Sequence, residues 1–174
     1  MNKADLKQMQ TYEKVIGENT FYIKKFPAFT CANLSGELAS LVTPVVSALL
    51  PLLGASDGEE GFDLDKIEIE NALPALNTAL SGISGDKIER LMRKLLVEHA
   101  NVSFSGPITD DVPKRLSFDL ANEIFCGDID DMLILCFEVV RLNFNGFFKK
   151  LGDRFGSLQG VIQKLTPSTE NTEN

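Results

Sequence analysis

Tryptophan is absent from these 174 residues, histidine occurs once and cysteine three times. Each scarcity removes a class of chemistry. The lone His99 has no cysteine or second histidine at ligand spacing, which excludes the common zinc arrangements and leaves an imidazole without catalytic partners. Cys31, Cys126 and Cys136 are odd in number and widely spaced, each in or beside an apolar run. They read as buried, reduced thiols of a cytoplasmic protein and not as a disulfide framework. Basic side chains are outnumbered, 17 against 25 acidic, and the formal charge of −8 has the wrong sign for neutralising phosphates, so no nucleic-acid partner is expected. The opening "MNKADLKQMQTYEKV" lacks the apolar stretch of a signal peptide, and no export is expected.

Motifs for catalysis are missing as well. The acidic groups "DGEEGFDLD" and "DIDD" have neither the alternating spacing nor the terminal glutamate of a calcium-binding loop. They read as a solvated loop and a helix cap. The glycines of "LGDRFGSLQG" do not follow a strand as a phosphate-binding loop would. The expectation is a protein with no metal, no cofactor and no enzymatic activity.

What the chain does hold is apolar surface. From Leu38 to Ser56 no side chain is charged, nearly the length of a membrane span. Pro44, Pro51, the acidic flanks Glu37 and Asp57 and the lack of basic anchors argue against spanning, so no membrane partner is expected. Read as a helix, Gly36, Ser40, Thr43 and Ser47 line one face while leucine and valine fill the others. A helix so apolar needs the centre of its own domain or another chain to cover it.

A second apolar surface lies near the end of the sequence. Gly127 separates two helical stretches, and Asp128 is placed to cap the second. Along it Leu133, Phe137, Val140, Phe144, Phe147, Leu151 and Phe155 recur every three or four residues, with Phe148 widening the stripe. The phenylalanines therefore form one ridge, with Asn143, Gly146 and Gly152 expected to loosen its second half.

Between these surfaces, "DKIERLMRKLLVEHA" is an amphipathic helix with Ile88, Leu91, Leu95 and Met92 inward, while a helical run from Leu64 to Leu80 is interrupted by Pro74. "TFYIKKFPAF" reads as a short edge strand, and "VSFS" with "RLSF" as a small β-hairpin. The expected fold is mainly α: a polar leader over 1–19, a compact helical domain over 20–164 with a short N-terminal strand, the small hairpin and a mobile loop over 54–65, and a disordered tail over 165–174. The candidate client or self-association surface comprises Leu38, Leu41, Val45 and Leu49 with Phe137, Phe144, Phe147, Phe148, Leu151 and Phe155.

The order of "FYIKKFPAF", an apolar helix, an acid-rich centre and "EIFCGDIDDMLILCFEVVRLNFNGFFKKLGDRFGSL" resembles the tail assembly chaperones of long-tailed phages and prophages of Gram-positive bacteria. The resemblance is strongest over 122–158, through "FCGD", "NFNGFF" and "LGDRFGSL" in that order, and weaker over 21–53. It implies a non-enzymatic, mainly helical, self-associating protein of the host cytoplasm, absent from the mature virion. Such a protein binds the hydrophobic tape measure protein and keeps it soluble while the tail tube assembles. The resemblance further implies a frameshifted longer form that recruits the major tail protein, with this chain as the short form. From another class, a helical carrier enclosing a small apolar ligand meets the same compositional facts.

Overall fold

The computed structural model describes residues 10–49 and 63–165, with the backbone alone at 40–43, 46–48 and 151–165. Strand β1 (Thr11–Ile16) turns through Gly17 and Glu18 into β2 (Asn19–Lys24), and the two pair antiparallel with Ile16 opposite Asn19. Gly17 takes a φ of +57° at the first central position, where a two-residue hairpin of the type II′ class favours glycine. β2 pairs in turn with β3 (Val102–Ser105), and β3 with the two-residue β4 (Lys114–Arg115), giving a four-stranded antiparallel sheet in the order β1-β2-β3-β4.

The fold is therefore mixed α/β with helices dominant, which corrects the mainly α expectation. Two strands lie where composition suggested a polar leader and an edge. β1 occupies residues 11–16, and β2 is an inner strand whose Pro27 falls beyond its end. The "VSFS" hairpin is the other half of the same sheet, since Phe21 stands opposite Phe104 and Ile23 opposite Val102. All four of these side chains are fully buried on the face that meets the helices.

Helix α1 (Ala28–Leu49) starts ten residues before the uncharged run and carries Pro44 within it. No helix among the described residues is long and apolar enough to cross a membrane. A 3₁₀ turn (Leu64–Lys66) leads to α2 (Ile69–Ser81), which runs through Pro74 as one helix and ends at Gly82. α3 (Gly85–Arg93) opens at its C-terminal end into a wider π-helical turn (Lys94–Glu98) that places Leu95 and Leu96 together in the core. α4 (Phe118–Ile124) is capped by Ser117, whose hydroxyl accepts the Leu120 N–H at 3.3 Å. Gly127, at φ +86°, then reverses the chain into α5 (Ile129–Leu165).

α5 is the spine on which the other elements are fastened. Leu135 and Val139 are fully buried, and between them Glu138 is 1% exposed, the one charge in the run from Met132 to Val140. Its carboxylate meets Lys14 Nζ of β1 at 3.2 Å and Arg141 at 2.5 Å, and Arg141 also donates to Tyr12 Oη at 2.8 Å. Farther along, Asn143 Oδ1 accepts the Phe26 N–H at 2.8 Å while its Nδ2 donates to the Val139 carbonyl at 2.8 Å. Asn145 Oδ1 accepts the Leu64 N–H at 3.0 Å, and its Nδ2 donates to Asp63 and Asp65. The two asparagines of "NFNG" thus hold the approaches to α1 and α2, with Phe144 buried between them.

Candidate functional site

Helices α2, α3, α4 and the first turns of α5 do not close on one another completely. Between them lies a cavity of about 540 Å³ whose walls include Leu80, Ile83, Ile88, Met92, Met132 and Leu133. Its rim carries two exposed apolar residues, Phe118 at 40% and Ile129 at 53%, so it opens to solvent as a groove. Each wall comes from a helix with a simple sequence logic. The i, i+3, i+4 spacing of Ile88, Leu91 and Met92 turns one side of α3 inward, with Ile88 and Met92 on the cavity wall, while Glu89 and Arg90 stay exposed. Met132 and Leu133 face it because the left-handed Gly127 starts α5 at that angle.

A second, smaller cavity of about 110 Å³ shares Leu80, Ile88, Met92 and Leu133 with the first. Leu38, Val45, Phe137 and Phe148 lie on its far side. The lining of this inner cleft is almost wholly apolar. Polar groups sit at the mouth of the groove instead. The Arg93 guanidinium lies 4.5 Å from the centre of the Phe118 ring and 3.5 Å from Glu89, and Asn77 donates to Asp130 at 3.3 Å, joining α2 to the first turn of α5. The arrangement offers apolar surface for binding.

The candidate surface residues divide by position. Leu38, Val45, Phe137 and Phe148 meet at the inner cleft, whereas Leu49 is fully buried and Phe144 is packed beside Phe26. Phe147 is half-buried, with its ring edge-on to Phe148 at 5.7 Å. Leu151 and Phe155 belong to α5 and Leu41 to α1, but their side chains lie outside the described residues. Sequence patterning did not find Phe118, Ile129 or Met132 as site residues. The one signal of Phe118 and Ile129 is adjacency to helix starts, at Ser117 and Asp128, where an apolar residue has little reason to be exposed.

Other titratable groups are structural. Burial pushes the Cys136 thiol up to about 12 and also raises that of the half-buried Cys31, but Cys126 is exposed, which corrects the reading of three buried thiols. His99 is exposed and stands edge-on to Phe26 at 5.6 Å. Among the described residues no group of three histidine, cysteine, aspartate or glutamate side chains is placed to hold a metal ion. Residues 54–62 of the acidic loop and 166–174 of the tail lie outside the described residues. At the end of that loop Asp63 is fixed by Lys149 at 2.8 Å.

Comparison with known proteins identifies a family. No curated protein and no solved structure matches the chain. A model of the family described as phage tail assembly chaperone protein, TAC, matches residues 17–156. That span runs from the β1–β2 turn to the second half of α5 and takes in every wall of the groove. The chain belongs to the phage tail assembly chaperone family.

Proposed function

We propose that this protein binds the hydrophobic, helical tape measure protein in the host cytoplasm and keeps it soluble during tail tube assembly, with the groove between α2, α3, α4 and α5 as the binding site. The observation that carries this reading is the groove itself: open, apolar, rimmed by exposed Phe118 and Ile129, and continuous with a still more apolar inner cleft. A client helix docks there by its apolar side, each large side chain contributing about 2 kcal/mol on burial. The net charge of −8 keeps the loaded protein in solution. The half-buried Phe147 and the exposed rim give the unloaded protein a surface for self-association. A frameshifted longer form would bring the major tail protein to the same assembly.

The test is co-expression with the tape measure protein of the same phage. The client is expected in the soluble fraction only when this chain is present, and the two should co-purify over a range of salt because apolar burial is little screened. Met132→Ser with Leu133→Ala, at the groove wall, should weaken the complex. A tape measure equally soluble alone removes the proposal. The volume of about 540 Å³ also suits a small apolar ligand, the carrier reading. Native mass spectrometry separates the two: a carrier gives a monomer with small bound mass, a chaperone gives protein complexes.

A further inference from the structure

Helix α3 is anchored unlike the other helices of its size. None of its nine residues is buried, although Ile88, Leu91 and Met92 are turned inward. Those three side chains lie over the inner cleft, and Ile88 and Met92 also border the larger cavity, so the inner side of α3 rests on space on both flanks. Leu91 and Met92 touch the edge of the core, but a helix with space on both flanks of its apolar side forfeits part of the dispersion that fixes a packed element.

Both ends of α3 depart from regular helix. On the N-terminal side Gly82 and Gly85 bracket a short link, with Ile83 turned to the groove, in which a side chain at either glycine position would meet nothing. On the C-terminal side the π-helical turn Lys94–Glu98 interrupts the regular hydrogen-bond ladder, a feature frequent at functional sites. The turn itself is held in place, because Leu95 and Leu96 are buried, Lys94 pairs with Glu37 of α1, and Asn101 donates to the Leu95 carbonyl at 2.9 Å, so it is a fixed base from which α3 extends. At the groove mouth, the Arg93 guanidinium over the Phe118 ring reaches from the end of α3 to the start of α4.

We propose that α3 is a hinged lid over the inner cleft of the groove, swinging between the glycine link and the fixed π-helical turn and held in by the Arg93–Phe118 contact. The inference deepens the proposed function, since it states how the same groove is gated. In the shut state Ile88, Leu91 and Met92 cover the inner cleft and hide its apolar surface from water, while the outer groove is open. When α3 swings out, these side chains and the inner cleft form one continuous trough for the apolar side of a client helix. The client replaces α3 over Leu80 and Leu133, and the lid refolds on the client or stays aside.

The test is backbone hydrogen exchange on the full chain. Amides 88–93 are expected to exchange by local opening, faster than amides 133–139 of α5. Arg93→Gln and, separately, Phe118→Leu should each speed exchange at 88–93 by about two- to five-fold, the worth of an exposed cation–π contact, with 133–139 unchanged. Gly85→Pro should slow it, because Gly85 is the first helical residue and Ser84, at φ −62° and ψ 139°, accepts a following proline. Arg93→Gln should also raise the fluorescence of 1-anilinonaphthalene-8-sulfonate. The lid is overturned if 88–93 are as slow as 133–139, if both segments speed up together, or if Phe118→Leu leaves α3 exchange unchanged. Failure of tape measure co-expression with the selective opening intact removes the client and leaves the lid.

Discussion

Single residues show where the structure has no slack. A Cβ on Gly106 would come within 2.1 Å of Asn19 Oδ1, so a side chain at that position has to displace the Asn19 amide at the end of β3. Gly106→Ala is expected to lower stability by about 1–3 kcal/mol, read as a fall in melting temperature. Glu138 presents the opposite problem, a buried carboxylate that is tolerable only because Lys14 and Arg141 reach it. Burial alone would lower the Lys14 pKa, but the hydrogen bond and charge of Glu138, with Glu70 beyond, raise it above the usual lysine range. The stabilisation linked to the Lys14 charge is therefore present at neutral pH and, on the alkaline side, is lost as pH rises through the raised value. Glu138→Ala should cost roughly 3 kcal/mol in chemical denaturation, since it leaves two partly buried cations facing an apolar hole. Asp63 works in the acid direction. Burial would raise its pKa, yet Lys149, the Asp65 N–H and Asn145 together hold it below the usual carboxylate range. Its contribution is complete above about pH 4 and disappears as pH falls through the lowered value. Asp63→Asn should accordingly flatten the acid limb of the stability curve while costing only about 0.5–1 kcal/mol at neutral pH, as for other half-exposed pairs.

At the level of elements, what could be read in advance depended on whether local period and tertiary role agreed. α5 was legible because its phenylalanines keep a helical period and Gly127 marks its start. α3 was legible from its alternation of basic and apolar residues, but the π-helical turn after it was not, because the need to bury Leu95 and Leu96 side by side is set by the sheet and α5. The β1–β2 hairpin stayed hidden for a specific reason. Its inward face is Tyr12, Lys14 and Ile16, and a lysine on the inner face reads as polar until its partner Glu138, 124 positions later, is known. The start of α1 was hidden likewise, since Phe29 at 92% exposed and the polar residues around it give no inward stripe. The groove was the least legible feature, because four helices contribute to it and no segment signals it alone. The "NFNG" asparagines, read as weak helix formers, turn out to be fasteners. Asn143→Leu is expected to destabilise by about 1–3 kcal/mol by orphaning the Phe26 N–H, and hydrogen exchange should show the loss first at the β2–α1 junction.

For the molecule as a whole, the central question is how apolar area is divided between core and surface. Phe148 is 4% exposed, so Phe148→Ser should unfold the protein or cost several kcal/mol, whereas Phe147→Ser should leave circular dichroism helical and reduce self-association in analytical ultracentrifugation. Equal effects of the two changes would show that the ridge is not divided in this way. The sheet adds a constraint of a different kind. β2 finds its inner partner β3 about eighty positions downstream, and the Phe26 and Tyr12 contacts wait for Asn143 and Arg141, separated by 117 and 129 residues. A ribosome releases these pieces in order, at about 5–20 residues per second. The first hairpin therefore spends seconds outside the exit tunnel with Phe21 and Ile23 uncovered, until the last helix arrives to close over it.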